Sequence, residues 1–519
     1  MNSSSLVGTG TLNFATQLYL NINSGSSLVG FNGLSVYGLT TSGITVDFSS
    51  YSPFTLGGPL SMTSSTVTFP NTEISVTDYT QTNSTFTSTS GNLNVGGNLT
   101  ISGTGTYNHN NGTLNFVGSG TTTYSCNNNV FNFVIINKGN GAITTNNCNL
   151  PLGNNPTITY STVGHQFNLN NSTLSGSGTI TFGTSGSLSL ASTGTLSGFS
   201  GLYVNYLVIN GANANYSSFT DFTIPNSITL NSGSLSLPTN TTTGSLITTA
   251  GTLTTSSGTT NVSSTMTLAG ITFNHNNGTF NFNGGNATLS CNNYTFNNVT
   301  FNNTGIKTVN SNCNFPLGNN PTITNGVTLS GTLSGTGTLT STAGTLTLNS
   351  GSVTTGFSGF NLTNLTMSGP TIDAGTYSTF AVSGTVSLTA GALKVPNGTS
   401  ISTLNVSGGT FNTTTGDIIV GALTVSGSPV FNAPTGILTI LGTLTISNTP
   451  TFNHNNGIVN FTGSGVTLSC NNVAFNIVTL NNTGLLTINS NCNFPLGLNP
   501  TIANSVTLNG TLSGTGLVT

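Results

Sequence analysis

A pair of cysteines recurs three times in this chain at one fixed spacing, as Cys126 and Cys148, Cys291 and Cys313, and Cys470 and Cys492. Each pair lies inside one repeated cassette. The copies open YNHNNGTLNF at Tyr107, FNHNNGTFNF at Phe273 and FNHNNGIVNF at Phe452, and close NCNLPLGNNPTIT, NCNFPLGNNPTIT and NCNFPLGLNPTIA. The constant spacing between similar CNN and NCN surroundings predicts an inner period of about 20–22 residues. That is one coil of a parallel β-solenoid: two or three short strands, with residue i stacked near residue i+22 about 4.8 Å along the axis. The expected fold is therefore all-β, an elongated parallel β-solenoid (β-helix) of about two dozen coils and roughly 115 Å.

Local sequence agrees. LTISG from Leu99, TLTL from Thr345 and ILTILGTLTIS from Ile437 alternate apolar residues with Thr, Ser or Asn, the period-two pattern of a half-buried strand. Gly, Asn and Ser punctuate them, because these residues accept turn conformations. Runs such as NHNNG are expected to stack as amide ladders between coils.

A longer period surrounds the cassettes. L-[SV]-G-x-G stands at Leu6, Leu174, Leu333 and Leu512, and G-F-x-G at Gly30, Gly198 and Gly356. A looser match follows: VDFSSYSPF from Val46, ANYSSFTDF from Ala214 and IDAGTYSTF from Ile372. These divide the chain into an N-terminal lead (1–5), three solenoid repeat units (6–173, 174–332, 333–511) and the start of a fourth (512–519), read as a truncation point or a stacking end. The competing arrangement is a string of β-sandwiches, with units of about 100 residues. These units are longer, and no linker separates them.

Composition removes several functions. Charged residues are 2% of the 519, with three lysines and no arginine, against a usual share of about 25%. Phosphate neutralisation needs Lys or Arg, so no nucleic-acid partner is expected. No apolar run reaches the ~18 residues of a membrane-spanning helix, so no transmembrane helix is expected. The start MNSSSLVGTG lacks a basic and apolar leader; export then uses another signal, the signal has been removed, or Met1 is not the natural start. Apolar residues at 34% argue against full disorder.

Under the solenoid reading, the six cysteines are candidate disulfides, since parallel neighbours lie inside the Cα window for a bond. A stacked pair of reduced, buried thiols satisfies the same spacing. His109, His275 and His454 precede the first cysteine of each cassette by nearly the same interval. No C-x-x-C or H-x-x-x-H pair accompanies them, as a tetrahedral zinc site would need, so turn positions are expected, with no metal and no cofactor. His165 has no repeat partner.

The carboxylates are Asp47, Glu73, Asp78, Asp221, Asp373 and Asp417. Glycoside hydrolysis generally needs two of them flanking the bond, and no such cluster recurs; Asp47 and Asp373 match across repeats but Asn215 stands between. No catalytic residues and no enzyme are expected. Thr-rich segments raise ice binding, since regular Thr-x-Thr rows on a solenoid can order water, but no strict T-x-T recurs at one coil period.

The cassettes and the LSGTGTLT-type segments resemble the beta-strand-repeat, adhesin-like proteins of bacterial surfaces, similar in style to filamentous-haemagglutinin and autotransporter-passenger solenoids. The resemblance implies secretion to the extracellular space or cell surface and structural or adhesive work as a stalk or fibre. It supplies no catalytic residues. The expected partner is an unknown surface ligand, with a glycan as one class. The alternatives are a self-assembling filament subunit stacking end to end by homotypic contact, and a carbohydrate-binding or carbohydrate-cleaving β-helix.

Overall fold

The structure is a computed structural model that describes residues 1–160, 165–183 and 186–519. Among them there is no helix; parallel strands stack into a β-solenoid of about 25 turns. The chain divides into two compact units, Met1–Thr260 with Ala269–Asn276, and Asn261–Leu268 with Asn277–Thr519.

In the first unit, Tyr19–Asn23, Gly38–Ser42, Leu60–Thr63, Tyr79–Thr82 and Leu99–Ser102 pair in succession. Alternation decides which side is buried. Leu20, Ile22, Leu39, Leu60, Met62, Tyr79, Leu99 and Ile101 point inward, while Thr40, Ser61, Thr80 and Thr100 form an outward row. A neighbouring aromatic column fills the same core: Phe69 lies 4.8 Å from Phe86, Phe86 5.6 Å from Tyr107, and Tyr107 5.1 Å from Phe131. The buried Gln81 is fully used. It accepts from the Tyr79 hydroxyl at 2.6 Å and donates to the carbonyls of Ser84 and Thr106.

The second unit is built alike. Ala287–Ser290, Lys307–Val309, Val327–Leu329, Thr345–Asn349 and Asn364–Asp373 pair in order. Phe411, Phe431 and Phe452 stack one coil apart, with centroids 5.0 and 5.3 Å apart and planes within 14°.

The coil keeps the expected period of about 20–22 residues on average but is not of constant length. In the first unit Ser227 pairs with Ser245 across a short coil, and Leu99 with Tyr124 across a long one. In the second, Thr322 pairs with Thr340 and Leu444 with Leu468, again one short and one long. Corners absorb the difference. Residues 96–98 join two strands of one coil, and 117–121 make the equivalent connection on the next. Strand registers are kept because a one-residue slip would turn every apolar side chain outward.

Candidate functional site

Each cassette closes on a disulfide. Cys126–Cys148, Cys291–Cys313 and Cys470–Cys492 join adjacent coils, with Cα atoms 4.8, 4.9 and 4.8 Å apart and every cysteine fully buried. The open choice between bonded and reduced pairs thus resolves as bonded. The asparagines after the first cysteine hold positive φ in all three copies: 49° and 57° at Asn127 and Asn128, 50° and 61° at Asn292 and Asn293, 48° and 58° at Asn471 and Asn472. The N–H of the second donates to the carbonyl beside the partner cysteine, Asn147, Asn312 or Asn491, at 2.8 Å each time.

The last two asparagines of the NHNNG run form a turn, which corrects the expected amide ladder there, while the first stays on its strand, where Asn453 continues an amide row from Asn432. Asn110 and Asn111 have φ of 49° and 58°, and Asn455 and Asn456 repeat them at 49° and 61°. The imidazole Nδ1 of His109 accepts from the N–H of Asn111 at 3.0 Å, and that of His454 from Asn456 at 3.0 Å. The glycine is obligatory: a Cβ on Gly112 would collide with the Thr89 carbonyl, and one on Gly457 with that of Pro434. The next coil seals the turn. Asn132, Asn297 and Asn476 donate to the carbonyls of Asn111, Asn277 and Asn456 at 3.0, 2.8 and 2.8 Å. The histidines thus hold turns. Among the described residues, no group of three or more His, Cys, Asp or Glu is placed to hold a metal ion. His165 accepts from the N–H of Gly141 at 3.0 Å.

The carboxylates are spread out, and each is engaged locally. Asp47 accepts from the N–H of Ser49 at 2.8 Å, and Asp373 from Gly375 at 2.9 Å. Asn215 makes the same bond to Ser217 at 3.1 Å. This turn needs one side-chain oxygen two positions before an N–H, so Asp and Asn are interchangeable there. Asp78 and Asp417 cap the N–H groups of Asn98 and Ile437 on the following coil, both at 2.7 Å. Asp221 accepts from the Thr179 hydroxyl. Glu73 accepts from Asn94 at 2.8 Å, and Asn94 in turn from Asn115 at 2.8 Å. The Asp373 carboxyl is held below its usual range by the Gly375 N–H and then by Lys394, 3.1 Å away on the next coil.

Lys138 and Lys307 are buried, and burial pushes both ammonium pKa values down. Lys307 donates to the Ser263 carbonyl at 3.0 Å. The cassette position of Lys138 carries Asn303 and Asn482 in the other copies. These stay neutral and donate to carbonyls of their own turn and of the next coil.

The outward rows are the surface the fold presents. In the second unit, Thr288, Thr308, Thr328, Thr347, Thr366, Ser387, Asn405, Thr424, Thr445 and Ser469 are successive register partners. Beside them runs a self-bonded row. Asp373 pairs with Lys394, Lys394 stacks on Asn412, Asn432 donates to Asn412 at 2.6 Å, and Asn453 to Asn432 at 2.7 Å.

The most regular array lies in the first unit. Thr45–Asp47, Thr66–Thr68, Thr85–Thr87 and Thr106–Asn108 form their own four-stranded sheet. One row is Thr45, Thr66, Thr85, Thr106; the other is Asp47, Thr68, Thr87, Asn108. This threonine array, T-x-T on its two central strands, is hidden in the sequence because its coils differ in length. The step from Thr66 to Thr85 is shorter than those from Thr45 to Thr66 and from Thr85 to Thr106. A search at one fixed period breaks the row that the register restores.

No family model matches the chain, and neither a curated protein nor a solved structure matches it.

Proposed function

We propose that the chain is a non-enzymatic structural and adhesive segment displayed outside the cell, serving as a stalk or fibre that holds repeated surfaces toward a ligand. The observation that carries this reading is the set of three buried disulfides between adjacent coils. Such bonds form and persist in oxidising compartments. The low charge and the coil-to-coil amide bonding support it, since both suit a body whose work is to keep its shape. The dispersed carboxylates, each engaged in a turn, a cap or a row, support the non-catalytic part. A surface ligand is the expected partner, and glycans are the class to screen first.

The test is location and thiol state together. Antibodies against the chain should label intact source cells, and all six cysteines should resist alkylation until the protein is reduced and unfolded. Labelling only after the cells are permeabilised, or six alkylated cysteines in freshly lysed cells, would overturn the reading.

A further inference from the structure

We propose that the threonine face of the first unit, centred on Thr66, Thr68, Thr85 and Thr87, binds the surface of ice. The inference does not depend on where the chain is displayed. It rests on four properties of one sheet.

The first is spacing. Neighbouring coils stand about 4.8 Å apart, and the two rows, on alternate positions of each strand, are separated by roughly 7 Å. The registers run through four strands without a bulge. The array therefore repeats in two directions, at intervals close to those between water oxygens on the faces of hexagonal ice.

The second is rigidity. Threonine is β-branched and stiff at χ1, and the side chains between the rows are anchored from behind. Val67, Phe86 and Tyr107 are buried, and the Tyr107 hydroxyl is tied to Ser88 at 3.0 Å. Hydroxyls held this way have less freedom to lose when they order water.

The third is availability. The hydroxyls of Thr45, Thr66, Thr68, Thr85 and Thr106 make no hydrogen bond to any described residue. They do not bond one another across the coil step, although hydroxyls elsewhere in the chain do, as Thr82 and Ser102 at 3.1 Å. Each is left to water, and the fixed rows place that water in a lattice.

The fourth is what the sheet lacks. Its one charge is Asp47, at the edge strand and engaged in its own turn. Its aromatic rings, Phe86 and Tyr107, face the core, so the platform that would stack on a sugar ring is absent from this face. These features favour ice over an insoluble polysaccharide as the solid recognised.

The full chain is tested by slow growth of an ice hemisphere in its solution and by recrystallisation of a frozen sucrose film. The wild type should enter the ice and keep its grains small. T66K/T85K should lose both effects, while T439K, on an outward position of the second unit, should keep them. Circular dichroism and protection of the six cysteines check that each variant is folded. If T66K/T85K fails that check, T66V/T85V replaces it; it keeps the branched shape, removes two hydroxyls and should weaken grain control. Exclusion of the wild type from ice overturns the proposal. So does full activity in a folded T66K/T85K or T66V/T85V, or retention on cellulose or chitin without entry into ice.

Discussion

The same three coils carry two different polar faces. On the strands Thr66–Thr68, Thr85–Thr87 and Thr106–Asn108, the hydroxyls look outward, and five of the array's threonines have no hydrogen bond to a described residue. Along the next strand of those coils and its lead-in, Glu73, Asn94 and Asn115 are bonded in sequence at 2.8 Å per step. Reach contributes to the difference. An amide carries donor and acceptor on a side chain long enough to close the gap of about 4.8 Å between coils; a hydroxyl reaches less far and closes it at some pairs, such as Thr82 and Ser102 at 3.1 Å, but not along the row of Thr45, Thr66, Thr85 and Thr106. One face uses its polar capacity to hold coils together, and the other offers it to the solvent. A uniform outer surface of Ser, Thr and Asn in the sequence thus splits into a cohesive part and a presenting part.

The contrast can be broken at several points. The covalent staple beside these coils sets the scale. C126A/C148A should lose about 3 kcal/mol, as expected for closing a loop of this size, read as faster hydrogen exchange at Tyr124 and Ile143. Behind the hydroxyl face, burial pushes the Tyr107 phenol up to about 12. Its neutral form is favoured in the fold, so the stabilisation is fully present below the unfolded value near 10 and is lost as pH rises through 12. The loss should amount to about 2–3 kcal/mol in alkaline melts, and Y107F should flatten that part of the profile. The equivalent cassette positions already hold Phe273 and Phe452.

On the cohesive face, Asn94→Leu strands Glu73 and Asn115 and should cost about 1–2 kcal/mol in urea unfolding. On the presenting face, Thr85→Val should change stability by no more than about 0.5 kcal/mol. A Thr85 effect as large as that of Asn94 would mean that the hydroxyl face also holds the coils together.

Much of the fold was legible because the cysteines act as a ruler and the strands alternate. Leu99 and Ile101, or Leu346 and Leu348, announce their inward faces by pattern alone. The pairing of the cysteines followed once coil stacking was accepted, but not whether each pair was bonded or reduced. The rows were not legible. Thr45, Thr66, Thr85 and Thr106 align only after corners of different length are allowed for, and corner length is set by turn conformations such as the left-handed pair at Asn110 and Asn111. The NHNNG run misled in part for the same reason: its second and third asparagines take positive φ and close a turn, while its first, as at Asn453, stacks on the coil before. The match of Asp47 with Asp373 across an intervening Asn215 became intelligible only when all three proved to accept from the N–H two positions on.

Coils as short as Ser227 to Ser245 and as long as Leu99 to Tyr124 still pair with the coil just before them. That also bears on how the chain becomes ordered. Each new strand meets a partner laid down only one turn earlier, so loop-closure cost stays nearly the same from coil to coil. Most β architectures fold slowly because their partners are distant in sequence; here a coil has its template as soon as it is made. Ordering can proceed vectorially, one layer after another, as the polypeptide emerges from a ribosome or a translocation pore. A chain long enough for several domains would then never need to search for its fold as a whole.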